Sequence, residues 1–304
     1  MSAPPYSGLV TDTQDSSAET VEAAPEPKRE GLAAAAVLAI GALASLAGVL
    51  LSLYSLTGMA DGLDETGVVI LALSLFSPII VAMFAGGVGG VVASHFKGPR
   101  LPLTLAGVAA IALAAAGTAY ALFSVDASIA LALGLILLGS ALIGGLFSLP
   151  RTRLPVVAGL IGTLVLLALM FLRGLLESAS VSLFSDPLDQ YGALGAAAPF
   201  ATGLVCGFTA FMYLRSAKAG TRMVGYLCAG AIPGAIWLLS TVVAQAGVET
   251  VLSLGVDEVA ALDEAYLTLS FQWQYNGSMT VLFAGALCAV LAYGFLLPKP
   301  ARRS

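Results

Sequence analysis

Apolar residues run along the chain in long blocks, broken at near-regular intervals by short polar stretches. A helix needs about 20 mostly apolar residues to cross the hydrocarbon of a bilayer. Eight blocks reach that length, at about 32–57, 67–94, 101–123, 128–149, 154–176, 193–214, 223–245 and 277–297. The pattern predicts an all-α fold, a polytopic transmembrane helical bundle of eight spans arranged as four hairpins. Composition agrees: of 304 residues 59% are hydrophobic and only 10% charged, with mean hydropathy +0.96. Soluble domains are about a quarter charged, so a water-soluble globule is excluded.

The polar gaps alternate in sign. Basic residues gather at Lys28/Arg29, His95/Lys97/Arg100, Arg151/Arg153, Arg215/Lys218/Arg222 and Lys299/Arg302/Arg303. Acidic residues gather at Asp61/Asp64/Glu65, Asp126, Glu177/Asp186/Asp189 and Glu249/Asp257/Glu258/Asp263/Glu264. With the N-terminus inside, every Lys and Arg except Arg173 falls on one side of the membrane. Because the Lys/Arg bias sets orientation, both termini are expected in the cytoplasm. The abundance of Ala, Gly and Leu resembles chains of high-GC bacteria, so the expected location is a bacterial inner (plasma) membrane.

Three regions are expected. Residues 1–30, rich in Ser, Thr, Pro, Ala and Glu, cannot bury a core and read as a disordered cytoplasmic tail. Residues 31–298 form the transmembrane domain, and 299–304 a basic cytoplasmic tail. The tail lacks a basic stretch leading directly into an apolar run, so it does not read as a signal peptide. Within about 255–273, Leu262, Tyr266, Leu269 and Trp273 recur at helical spacing opposite Asp257, Glu258 and Glu264. That predicts a separate amphipathic helix, lying at the outer interface or packed over the bundle's outer mouth. Asn276-Gly277-Ser278 matches a glycosylation sequon at the membrane edge and is discounted there.

Short junction motifs repeat. Arg100-Leu101-Pro102 matches Arg153-Leu154-Pro155, and Phe147 with Leu149-Pro150-Arg151 matches Phe295 with Leu297-Pro298-Lys299. Either a duplication or the shared chemistry of helix ends accounts for them.

Lipid offers no hydrophobic drive for helices to associate, so they pack through small residues. Gly86 and Gly90, Gly203 and Gly207, and Gly230 and Gly234 each place two glycines on one helix face. These are the expected packing faces. Pro78, Pro199 and Pro233 fall inside spans two, six and seven, where each removes a backbone donor. Freed carbonyls at such breaks can line a path, and Ser74 and Ser77 would add hydroxyls beside Pro78 or simply satisfy the loosened backbone.

Candidate chemistry is sparse. One histidine, His95, excludes zinc or haem sites that need two. Cys206, Cys228 and Cys288 lie within spans and show no metal-ligand spacing. Walker A, HExxH, GxSxG and GxGxxG patterns are missing, no charge falls near the centre of a span, and basic patches with interleaved aromatics are absent. No cofactor, metal or nucleic acid is therefore expected. Arg173 and Glu177, one helical turn apart, are the one candidate for an outer anionic-ligand site, against a plain snorkelling pair. The expected function is non-enzymatic: an accessory or structural subunit of a cell-envelope membrane complex, with the bilayer and partner subunits as its contacts. The alternative is a transporter or permease for a neutral or lipid-like solute.

Overall fold

The structure, a computed structural model, describes residues 28–59, 65–96, 98–122, 127–150, 152–178, 187–218, 220–256 and 260–296. Among them are nine α-helices and no strand: α1 (Lys28–Met59), α2 (Glu65–Ser74), α3 (Phe76–Ala93), α4 (Arg100–Leu122), α5 (Ala127–Leu146), α6 (Arg153–Ser178), α7 (Pro187–Ser216), α8 (Met223–Gly255) and α9 (Ala261–Leu296). Since α2 and α3 together make one span, eight helical segments are long and apolar enough to cross a membrane. The tail at 1–27 and the basic end at 299–304 lie outside the described residues, while Lys28 to Glu30 already belong to α1.

The centre of the bundle is α3. Its residues from Pro78 to Val88 are buried without interruption, as expected of a helix apolar on every side. It touches α1, α4, α5, α6 and α8. Each successive hairpin closes on itself: α1 on α3, α4 on α5, α6 on α7 and α8 on α9.

The two halves share part of a scheme of neighbours, although α6 also packs closely on α8, a contact that α1 and α4 barely match. In the first, the second span (α3) packs on the first, third and fourth (α1, α4, α5); in the second, α7 packs on α6, α8 and α9. The glycines follow it. Gly86 lies against the Ala141 backbone and Gly90 against Ser148, joining spans two and four. Gly203 lies against Val281 and Ala284, and Gly207 against Gly285, joining spans six and eight. The Phe-Leu-Pro-basic motifs that begin at Phe147 and Phe295 end the fourth span of each half.

One sequence expectation changes form. The amphipathic segment within 255–273 is not a separate interfacial helix: from Ala261 it belongs to α9, which runs unbroken for 36 residues to Leu296. Asn276 and Gly277 at the polar junction are weak helix formers, but no proline falls there and the packing of Gly277 and Ser278 into the bundle carries the helix through. Asn276, Gly277 and Ser278 are inside it, the last two buried.

Candidate functional site

Pro78 cannot donate to the carbonyl of Ser74, and its ring crowds that turn. The chain responds by ending α2 at Ser74 and restarting at Phe76, with Leu75 N–H donating to Ala72 O (3.2 Å) and Ile79 N–H to Leu75 O (3.2 Å). Ser74 Oγ donates to Leu71 O (2.8 Å), so its hydroxyl serves the loosened backbone. Ser77 is exposed and points away from the interior. Pro199 and Pro233 are both buried, inside α7 and α8, and neither interrupts its helix.

The surroundings of the three prolines converge near Trp237 of α8. Its ring centroid lies 6.5 Å from that of Phe76, at the α2–α3 break. Its edge also faces Gly277 of α9, on which Pro199 packs from the third side. Pro233, one turn back on α8, faces Gly162 of α6. The meeting point is aromatic and close-packed. Met83 and Phe84 of α3 are fully buried beside it, and Ser240 Oγ, bonded to Ile236 O, also reaches Met83 Sδ (3.6 Å).

A strip of polar side chains leads from Trp237 along α8 and α9 toward the acidic end. Thr241 Oγ1 donates to Trp237 O (3.1 Å), and Ser278 Oγ to Tyr275 O (2.9 Å). Farther out, Tyr275 Oη donates to Gln245 Oε1 across the two helices (3.1 Å). Two buried atoms in the strip have no hydrogen-bond partner, Trp237 Nε1 and Gln274 Oε1. Gln274 borders a cavity of about 10 Å³, the size of one water, beside Phe76, Ser270 and Phe271. The sequence reading passed over Trp237, Gln245 and Gln274. An amide inside or at the edge of an apolar block is the signal that marks the last two.

A second, larger cavity of about 270 Å³ lies elsewhere, between α1, α3 and α4. Its walls are almost wholly apolar, and neither cavity is lined by Pro78, Pro199 or Pro233.

Arg173 sits near the acidic end of α6, where every residue from Phe171 to Leu176 is exposed. The backbone is helical through Ser178, which keeps Arg173 and Glu177 one turn apart, but the Glu177 side chain lies outside the described residues. Gly230 and Gly234 carry α8 against the α9 backbone at Gly285 and Leu282. Among the described residues no group of three or more His, Cys, Asp or Glu side chains is placed to hold a metal ion. Cys206, Cys228 and Cys288 are free thiols, with Cys288 Sγ donating to Leu204 O (3.3 Å).

Eight apolar helices packed in this way define an integral, multi-pass membrane protein. No family model, no curated protein and no solved structure matches the chain.

Proposed function

We propose that the protein is a non-catalytic accessory or structural subunit of a larger assembly in the plasma membrane, with its basic end in the cytoplasm. One observation supports the reading: an exposed apolar stripe on the acidic-end part of α9, which an upright helix would carry beyond the hydrocarbon. At 1.5 Å per residue, the 36 residues of α9 extend about 54 Å and the 33 of α8 about 50 Å. The hydrocarbon is about 30 Å thick. Both helices abut basic junctions, at Arg222 and at Lys299, so the surplus falls at the acidic end. Counting outward from Gly277, Trp273 stands about 6 Å, Leu269 about 12 Å and Tyr266 about 16 Å beyond. Trp273 suits headgroup depth. Tyr266 and Leu269 lie farther out, yet are 63% and 52% exposed, on the same face as Trp273 at 56%. Apolar surface in that position is characteristic of a protein contact. The packed surroundings of the intramembrane prolines support a scaffold more than a conduit.

A photo-crosslinking residue at position 269, activated in native membranes, tests this. The expected product is a stoichiometric adduct with one membrane protein. Solute uptake by the purified protein alone in liposomes would instead establish the transporter reading, for a neutral or lipid-like solute. The partly shared neighbour scheme of the two four-span halves favours that second reading, since internal repeats are common in transporter folds.

A further inference from the structure

We propose that the crevice between α1, α3 and α4 is a binding site for one acyl chain of an anionic phospholipid, drawn from the leaflet at the basic end of the bundle. Its floor is α3 from Ala85 to Ala93, with Phe96 just beyond, and its walls are α1 from Ala39 to Leu46 and α4 from Gly107 to Ile111. Small residues line it: Ala39, Ala42, Ala85 and Ala110 leave room that larger side chains would take, while Gly89 and Gly107 bring α3 and α4 into backbone contact at its base. The mouth opens on the outside of the bundle, where Ala110, Leu43 and Phe96 are exposed.

The volume decides between two apolar occupants. About 270 Å³ is just below the range of ordinary small-ligand pockets. It accepts a flexible chain. A helix about 10 Å across would have to force α1 and α4 apart.

The polar end of the crevice decides the headgroup. Phe96 lines that end just past the end of α3, and the chain then turns through Gly98, at φ +151°, into Arg100 at the start of α4. His95, exposed, has Nδ1 held at 2.9 Å by Val91 O, which leaves Nε2 as its outward nitrogen. The Arg100 guanidinium donates to Pro150 O, which fixes its charge at this junction. Thr104 is on the same α4 face as Gly107 and Ile111, one turn nearer Arg100. It is 1% exposed, and its hydroxyl has no hydrogen-bond partner. Two basic side chains thus stand just beyond the Phe96 end of the slot, with the unpartnered Thr104 hydroxyl between Arg100 and the α4 wall, an arrangement that suits a phosphate ester whose chain is inserted. The site is independent of any assembly or transport role.

The test uses the full-length protein in phosphatidylcholine vesicles with a trace of phosphatidylglycerol carrying a diazirine on its acyl chain. After photolysis, label should concentrate on the peptides spanning 39–46, 85–96 and 107–111, above the exposed faces of α5 and α7. Ala110→Phe, which fills the slot, should lower that labelling about tenfold, equivalent to some two buried methylene groups. Leu135→Phe, on the exposed face of α5, should leave it unchanged. Ala39→Leu is a second filling variant should Ala110→Phe fail to fold. Arg100→Gln combined with His95→Gln should erase the preference for the phosphatidylglycerol probe over its phosphatidylcholine counterpart. Uniform labelling of all exposed helices overturns the site, as does undiminished labelling in a folded filling variant. A crosslink from the crevice to another polypeptide also overturns it, by assigning the slot to a helix. An unchanged probe preference in the double variant overturns the headgroup assignment.

Discussion

Gly230 of α8 and Gly285 of α9 lie backbone against backbone: a methyl group on either would strike the carbonyl oxygen of the other. Gly207 of α7 reaches the same Gly285 carbonyl, so three helices close on one point. In lipid such close approach is the main source of helix association, through dispersion contacts that larger residues would hold apart. Gly285→Ala is therefore expected to destabilise the bundle by about 1–3 kcal/mol, the usual cost of overpacking. Gly48 is the internal control. No atom lies within 4 Å of where its side chain would begin, so Gly48→Ala should be neutral or stabilising by up to about 1 kcal/mol, the helix-propensity gain. Thermal unfolding of the two variants in the same detergent compares them directly. Equal stabilities would refute the claim that the Gly285 contact limits the fold.

The bond from Tyr275 to Gln245 ties α8 and α9 together toward their acidic ends, away from the glycine contact. Hydrogen bonds between membrane helices average about 0.6 kcal/mol, with a maximum near 1.7. A double-mutant cycle of Tyr275→Phe and Gln245→Leu should give a coupling energy in that range. The single Tyr275→Phe change should cost no more than about 1 kcal/mol, since only a hydroxyl is lost. Additive effects of the two substitutions would mean that the pair contributes nothing to stability.

The stripe on the outer part of α9 makes a separable prediction, because Tyr266, Leu269 and Trp273 are all exposed. Replacing all three with serine should change the unfolding midpoint of the isolated protein little, as expected of surface positions. The same triple variant should lose its crosslinked partner in native membranes. Retention of the partner by a folded triple variant would remove the stripe from the interface.

The span count and the all-α fold were legible because two unrelated signals, apolar block length and the sign of the intervening charges, divide the chain at the same places. The glycine pairs were legible as faces but not as contacts. Four-residue spacing shows that Gly203 and Gly207 share a side of a helix, while nothing in one sequence says that Val281, Ala284 and Gly285 lie opposite. Gly285 is paired at that spacing with Ala289 and not with a second glycine, which is why the glycine pairs alone did not reveal it. Ser77 shows the limit of arguing from proximity along the chain. It adjoins Pro78 yet is exposed, on the far side of the α2–α3 break from the half-buried Ser74, so spacing along an unbroken helix did not apply to the pair. The extra length of α9 was hidden for a different reason. A window tuned to lipid thickness stops where polar residues such as Gln272, Gln274 and Asn276 begin, but those residues end hydrophobicity without ending the helix.

The orientation, with the basic end in the cytoplasm, is proposed from charge alone and is open to direct measurement. Ser216, at the basic end of α7, and Thr268, on the outer part of α9, are both exposed. In a background with Cys206, Cys228 and Cys288 replaced by alanine, a single Ser216→Cys should be shielded from a membrane-impermeant maleimide in intact cells and react once the cells are opened. A single Thr268→Cys should react in both conditions. The asymmetry has a physical origin. Cationic loops are retained on the cytoplasmic side, and acidic residues have little say, so the pairs Arg151/Arg153 and Arg215/Arg222 act together while Arg173 is outvoted. Labelling of Ser216→Cys in intact cells would invert the protein, and with it move the α9 overhang and its partner to the cytoplasm.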